Sequence, residues 1–303
     1  MNHSDNPAAG TAGVTVVGCG YTGRRLLELC RAAGRDFLGT VRTEDALARL
    51  RAAGATAEIL DLDAPGGKCP RGWTGNRALI YMAPPPDAGN TDDRVRSFLA
   101  RLSAMPVALV YLSTTAVYGD TGGATVDETS PAAPASGRGR RRLDAEQAVL
   151  EFGGATGVPV RVLRVPGIYG PGRLPLERIR QGAPVVRAQD AGPGNRIHVD
   201  DLAAVSLAAA DYGGAERVFN VGDGSHASMS DYFRAVARAA GLAQPPELPL
   251  AKLLERVTPA MQGFLVESRR VDTRRMREVL GFQPRYAELE AGIAASLAEQ
   301  ARG

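Results

Sequence analysis

Apolar positions along this chain alternate between two rhythms. Short, nearly continuous β-prone runs occur at 14–18, 36–41, 59–62, 78–82, 107–113 and 160–165. Between them lie segments with helical spacing. The first is 23–33, with Leu26, Leu27 and Cys30 on one face. The next is 44–53, with Thr43 placed to cap it, followed by 92–104 and the stretch LDAEQAVLEF from Leu143. Apolar strands that alternate with amphipathic helices predict a parallel sheet covered on both faces, an α/β doubly wound architecture. Past Pro166 the pattern loosens, with Pro and Gly frequent up to Gly194. The last third then reads as mainly helical, around 230–240, 250–257 and 273–280, which predicts a smaller C-terminal lobe.

Composition adds boundaries rather than identity. The 303 residues are 44% hydrophobic and 23% charged with a net charge of +3, which suits an ordinary globular protein and gives no global reason to expect nucleic acid. No apolar run approaches the roughly 20 residues that a membrane helix needs, and the first residues do not form a signal peptide. Cys19, Cys30 and Cys69 are widely spaced, which argues against a disulfide framework or a zinc site and fits a reducing cytoplasm.

Charge is unusual in one place. Four of the five residues from Arg138 to Arg142 are arginines, at the start of the helix that continues through Leu143. The helix dipole disfavours cations at that end. Either the start swings outward, leaving Arg140 and Arg141 solvated, or the run serves binding or catalysis.

The clearest chemistry lies near the N-terminus. The first strand runs into Gly18-Cys-Gly20-Tyr21-Thr22-Gly23, which opens a helix. In a GxGxxG turn between strand and helix, the first glycine allows the tight turn. The second admits a pyrophosphate, and the third lets helix and strand pack closely. This predicts a Rossmann-type dinucleotide-binding core over 13–165, with 196–222 returning to it. A flexible tail is expected over 1–12, and a substrate-binding lobe over 166–195 and 223–303. Where the second strand ends, Val41-Arg42-Thr43 lacks the acid that binds ribose hydroxyls in NAD enzymes. Arg42 is placed to meet a 2′-phosphate instead, so NADP is expected ahead of NAD. Asp61 and Leu62 are expected beside the adenine, and the Ala83-Pro-Pro-Pro86 loop beside the cofactor.

From Tyr111-Leu-Ser-Thr114-Thr-Ala-Val-Tyr118-Gly onward, the sequence resembles the extended short-chain dehydrogenase/reductases, the NAD(P)-dependent epimerase/dehydratase family. The likeness continues through Asp127-Glu128-Thr-Ser-Pro131, Leu163-Arg164-Val-Pro166-Gly-Ile-Tyr169-Gly-Pro171-Gly172, Arg196-Ile-His198-Val-Asp200-Asp201, Phe219-Asn-Val-Gly222-Asp and Leu280-Gly-Phe-Gln-Pro284. It implies the fold, a nicotinamide dinucleotide contacted also by Pro166, a substrate pocket between core and lobe, and a possible homodimer. Family members carry Tyr-x-x-x-Lys at the start of the helix, followed by an Ala-Glu pair. Leu143, Ala145 and Glu146 fix that register, so the Tyr position is Arg138 and the Lys position is Arg142.

In the family the Tyr exchanges a proton with the substrate oxygen, the Lys binds the nicotinamide ribose, and a Ser or Thr bonds the same oxygen; Thr114 matches the last. Arg142 can keep the charge and bond ribose hydroxyls. Arg138 cannot relay a proton near neutral pH, but it can polarise a carbonyl or bind a phosphate or carboxylate. Thr115 and Ala116 replace the Asp-Glu pair of family dehydratases, which disfavours sugar dehydration and leaves Thr115 as a substrate contact. Arg196 is expected to face an anionic substrate. Tyr118 and Tyr169 are spare phenols whose expected role is packing. Glu128 is expected to accept a loop hydrogen bond, and His198 to pack the lobe. The sequence therefore points to an atypical NADP-binding oxidoreductase or epimerase acting on a nucleotide-sugar-like or small carbonyl substrate. The alternative is a non-catalytic NADP(H) sensor. Neither nucleic acid nor membrane is expected as a partner.

Overall fold

The computed structural model describes residues 12–64 and 66–302. Seven strands form one sheet: β1 (Gly13–Val17), β2 (Phe37–Val41), β3 (Thr56–Ile59), β4 (Arg77–Tyr81), β5 (Ala108–Thr114), β6 (Val160–Val165) and β7 (Val218–Asn220). Their order is β3-β2-β1-β4-β5-β6-β7, and the pairings among the first five strands are parallel. Helices α1 (Tyr21–Ala32), α2 (Glu44–Ala52), α3 (Asp93–Ala100), α4 (Gly137–Thr156) and α5 (Val199–Asp211) are interleaved with them. Strands β4 and β6 are buried at every residue, as expected when helices cover both faces. Thr43 caps α2 by accepting the Ala46 N–H, as its position predicts.

Several boundaries move for physical reasons. The third strand lies at Thr56–Ile59 rather than 59–62. It is the edge strand and buries only Ala57, so the apolar Ile59-Leu-Asp-Leu62 run misplaces it. The residues of the seventh strand are too few for their pattern to stand out. The arginine run does not precede its helix but forms the first two turns of α4.

The chain divides into two compact units. The first comprises 1–117, 137–164 and 202–219; the second comprises 118–136, 165–201 and 220–303. The sequence-based division therefore changes in two places. Residues 118–136 join the second unit, because Thr125–Val126 pairs with Arg270–Val271 and the Thr121 and Gly123 N–H groups bond Ser268 O. The segment that returns to the first unit is 202–219 rather than 196–222. The tail expected over 1–12 lies outside the described residues except for Ala12, which is buried and whose carbonyl accepts a hydrogen bond from Arg35 Nε.

In the first unit, Val17, Leu79, Tyr81, Phe98, Leu109, Tyr111, Val149 and Val162 belong to one buried core. In the second, Tyr169, Tyr232, Phe233, Val236, Leu289 and Ile293 form another. Around this core stand α6 (Met229–Ala239), closed by a capping box between Ser228 and Asp231, and α7 (Leu289–Gln300).

Candidate functional site

The glycine turn is built for a close approach. Gly18 has φ +81°, and a Cβ there would stand 2.7 Å from the Ala83 Cα and N. The N–H of Gly18 reaches Thr40 Oγ1, and the N–H of Cys19 bonds Thr40 O at 2.8 Å, so β2 fixes the turn. At Gly23 a Cβ would meet Cys19 Sγ at 2.7 Å, which is the tight helix–strand packing expected of the third glycine. Gly20 differs: its Cβ would come no closer than 4.0 Å to any protein atom outside its neighbours. Gly20 is also the N-cap of α1, with no side-chain cap and no acid in the first turn. The end of a bare helix facing open space fits the pyrophosphate of a dinucleotide. Of the side chains that follow Gly20, Tyr21 is half-buried and Thr22 is buried.

Arg42 is exposed just after β2 and makes no hydrogen bond to the described residues. Its charge helps to hold the Asp63 carboxyl below the usual range, although hydrogen bonding from Arg94 is the main cause. Asp61 accepts the Asp63 N–H at 2.9 Å, and Leu62 packs on the core.

One loop collects most of the local arginines. Arg94 donates to both Asp63 oxygens at 2.5 Å and to the carbonyls of Pro84 and Pro85 at 3.2 and 3.1 Å. Arg141 Nη1 donates to Gly89 O at 2.7 Å, and Arg140 Nε to Asn90 Oδ1 at 2.9 Å. Arg142 Nη1 donates to Leu112 O at 2.8 Å, Tyr111 Oη at 2.9 Å and Ala83 O at 3.4 Å. Prolines contribute no N–H, so this loop's carbonyls depend on donors from elsewhere. The two arginines left open by the sequence differ: Arg140 is exposed and bonds Asn90, whereas Arg141 is buried and bonds Gly89. Arg142 is buried beneath Tyr111, and its Nη2 bonds none of the described residues.

Arg138 is the exception in the run. It is exposed and has no hydrogen-bond or ion-pair partner among the described residues. Partial loss of water around the guanidinium lowers its pKa, and the Arg142 and Arg141 charges lower it further. Thr114, half-exposed at the end of β5, accepts the Ala116 N–H, which leaves its own hydrogen free to donate. Thr115 is buried.

Sequence reasoning missed the anchor beneath these groups. Glu146, read only as a register marker, is buried and accepts from the Ser113 hydroxyl and from Arg164 Nη2 at 2.8 Å. Nor did any local signal point to Arg94 or Tyr111, since their roles depend on loops distant in sequence.

Within the second unit most of the residues singled out in the sequence are held by protein contacts. Arg196 is corrected as a contact for an anionic substrate. It is buried, donates to the carbonyls of Ala227 (2.6 Å) and Ser228 (2.9 Å), and lies over the Tyr232 ring. Tyr118 Oη donates to Asn220 Oδ1 at 2.7 Å. The Tyr169 hydroxyl is buried without a partner among the described residues, raised in pKa by that burial, and packed so closely that a Cβ on Gly292 would lie 2.1 Å from it. Glu128 accepts the Asn220 N–H, as expected, while burial raises its pKa. His198 is buried: the Asp200 N–H donates to Nδ1, so Nε2 carries the proton toward Ser296 Oγ. Asp201 is more than a helix-start residue, accepting the N–H groups of Arg285 and Tyr286. Pro166 is half-buried near Gly222. No cluster of metal-ligating side chains occurs among the described residues, and no helix there is long and apolar enough to cross a membrane.

Comparison with known proteins sets this geometry in context. Residues 94–222 match the model of the NAD dependent epimerase/dehydratase family. Protein YeeZ of Escherichia coli (strain K12) is 28% identical over 246 residues, covering 77% of this chain and 85% of that protein. The dTDP-6-deoxy-L-talose 4-dehydrogenase (NAD(P)(+)) of Kitasatospora kifunensis is 29% identical over 320 aligned residues, covering 94% and 95%. Among solved structures, a functionally unknown conserved protein from Silicibacter pomeroyi DSS is 31% identical with a TM-score of 0.79, over 95% of this chain and 99% of that one.

Proposed function

We propose that this chain, whose residues 94–222 match the NAD dependent epimerase/dehydratase family, is an NADP-binding oxidoreductase or epimerase that works without the usual phenol. Thr114 and Arg138 polarise the substrate oxygen. The observation that carries the reading is the pairing of an intact cofactor turn with an unpartnered guanidinium in the register of the missing tyrosine. A bound nicotinamide dinucleotide supplies the hydride donor or acceptor. Gly18, Gly20 and the bare start of α1 hold its pyrophosphate. Arg42 meets the 2′-phosphate, and Arg142 offers Nη2 to ribose hydroxyls.

The division of labour follows from the side chains. Thr114 donates its hydroxyl hydrogen to the reacting oxygen. Arg138 stabilises negative charge on that oxygen but stays protonated at neutral pH, so water supplies or removes the proton.

Calorimetric titration with NADP and NAD, followed by a screen of small carbonyl compounds and nucleotide sugars read by nicotinamide absorbance, tests this. NADP should bind more tightly than NAD, Arg42→Gln should erase the preference, and at least one substrate class should turn over. Tight dinucleotide binding without turnover on any of them would favour the NADP(H) sensor, which the absent phenol also accommodates.

A further inference from the structure

We propose that Arg138 is an oxyanion-binding residue, so that the substrate carries a carboxylate or phosphate group. The inference rests on the oxidoreductase reading and adds a substrate class to it.

The argument begins with the partners of each arginine in the run. Arg141 and Arg142 bond only to neutral acceptors: the Gly89, Ala83 and Leu112 carbonyls and the Tyr111 hydroxyl. Each also keeps a buried Nε with no partner among the described residues. Their charges are therefore fixed in place without a bonded carboxylate. The nearest acid on the same helix, Asp144, is engaged by Arg96 Nη2 at 2.6 Å and by the Asp92 N–H at 2.8 Å. Arg138 stands one turn before Arg142, and the charges that act on it are the cations Arg141 and Arg142. The first turn of α4 contains no acid. An exposed guanidinium held among cations, with all five donors unbonded, is a receptor for a ligand that brings the missing negative charge.

The fork also suits the chemistry. A carboxylate or phosphate takes two parallel N–H bonds, and the remaining edge stays available for a reacting oxygen. A 2-oxo or 2-hydroxy acid places both groups on adjacent carbons and needs only one such residue. A phosphorylated carbonyl compound meets the same requirement over a longer span.

The oxyanion has two possible sources, the substrate or the phosphates of the dinucleotide, and the test separates them. Calorimetry with inorganic phosphate and with oxalate is run on the full-length wild type, Arg138→Gln, Arg138→Lys and Arg42→Gln, with and without saturating NADP; Tm is recorded for each. The expected result is wild-type binding that persists with NADP present and weakens about tenfold or more in Arg138→Gln. Arg138→Lys should recover part of it, and Arg42→Gln should not affect it once saturating NADP fills the dinucleotide's own phosphate sites. Dinucleotide affinity should be unchanged in Arg138→Gln. Phosphate or oxalate binding of equal strength in wild type and Arg138→Gln would overturn the assignment, as would binding abolished by NADP and by Arg42→Gln. If phosphate binds through Arg138 but no dinucleotide binds at all, the anion site stands and the oxidoreductase reading falls. If the dinucleotide binds and Arg138 makes no difference to either anion, the reading survives and the site does not.

Discussion

Two helix starts in the first unit use the same dipole in opposite ways. Helix α1 begins bare, with a glycine cap and no acid. Helix α4 begins crowded, with four arginines in its first two turns. A cation near a helix N-terminus costs about 0.3–1 kcal/mol, whereas a hydrogen bond from a charged donor contributes about 1.5–3 kcal/mol. The bonds outweigh the dipole wherever an arginine finds a carbonyl, and the proline-rich loop after β4 offers several. Only Arg138 bears the cost without the bond. The contrast teaches that the start of α1 is left bare while the start of α4 is mostly framework, with one residue left over.

The largest expected effect tests whether α4 is anchored as described. Glu146→Ala leaves Arg164 buried without its partner and should destabilise by about 3–5 kcal/mol, measured by urea unfolding. A loss below about 1 kcal/mol would mean that water replaces the pair, since that is all an exposed ion pair contributes. Next comes the division within the run. Arg142→Met strands two carbonyls and a phenol and should cost about 2–3 kcal/mol. Arg138→Met should stay within about 0.5 kcal/mol. Equal effects on thermal unfolding would erase the distinction between framework and free residue.

The glycine turn offers a matched pair. Gly18→Ala forces a side chain into left-handed backbone, at about 1–2 kcal/mol, and into Ala83, so Tm should fall together with NADP affinity. Gly20→Ala meets no protein atom and should leave Tm nearly unchanged while weakening NADP. If Gly20→Ala binds NADP normally, the phosphates lie elsewhere.

A separate control lies in the second unit and is read from the pH profile. Burial pushes the Asp223 carboxyl up to about 7, against the pull of the Ser225 N–H and the Arg196 charge. An unfolded aspartate titrates near about 3.9. The folded protein therefore holds the extra proton between these values. Stability from this group is present below about pH 4 and is lost as pH rises to about 7. Asp223→Asn should flatten that part of the stability profile. An unchanged slope would show that the carboxyl reaches water.

Much of the fold was legible because its signals are local. The strand at 160–165, the Thr43 cap and the glycine turn depend on neighbouring residues, and the structure places them where the sequence did. The shifted third strand is an edge that buries a single residue, so hydrophobicity could not set its limits. Arg196 looked like a ligand contact because a lone arginine in a motif does not reveal its acceptors; folding brings Ala227 and Ser228 to it from about 30 positions away.

The sequence by itself determined the strand–helix alternation, the glycine turn and the arginine run from Arg138 to Arg142. Tertiary structure alone decided which arginine is free. A guanidinium's role depends on whether carbonyls meet its donors, and those carbonyls come from β5 and the loop after β4, more than 25 positions from the run.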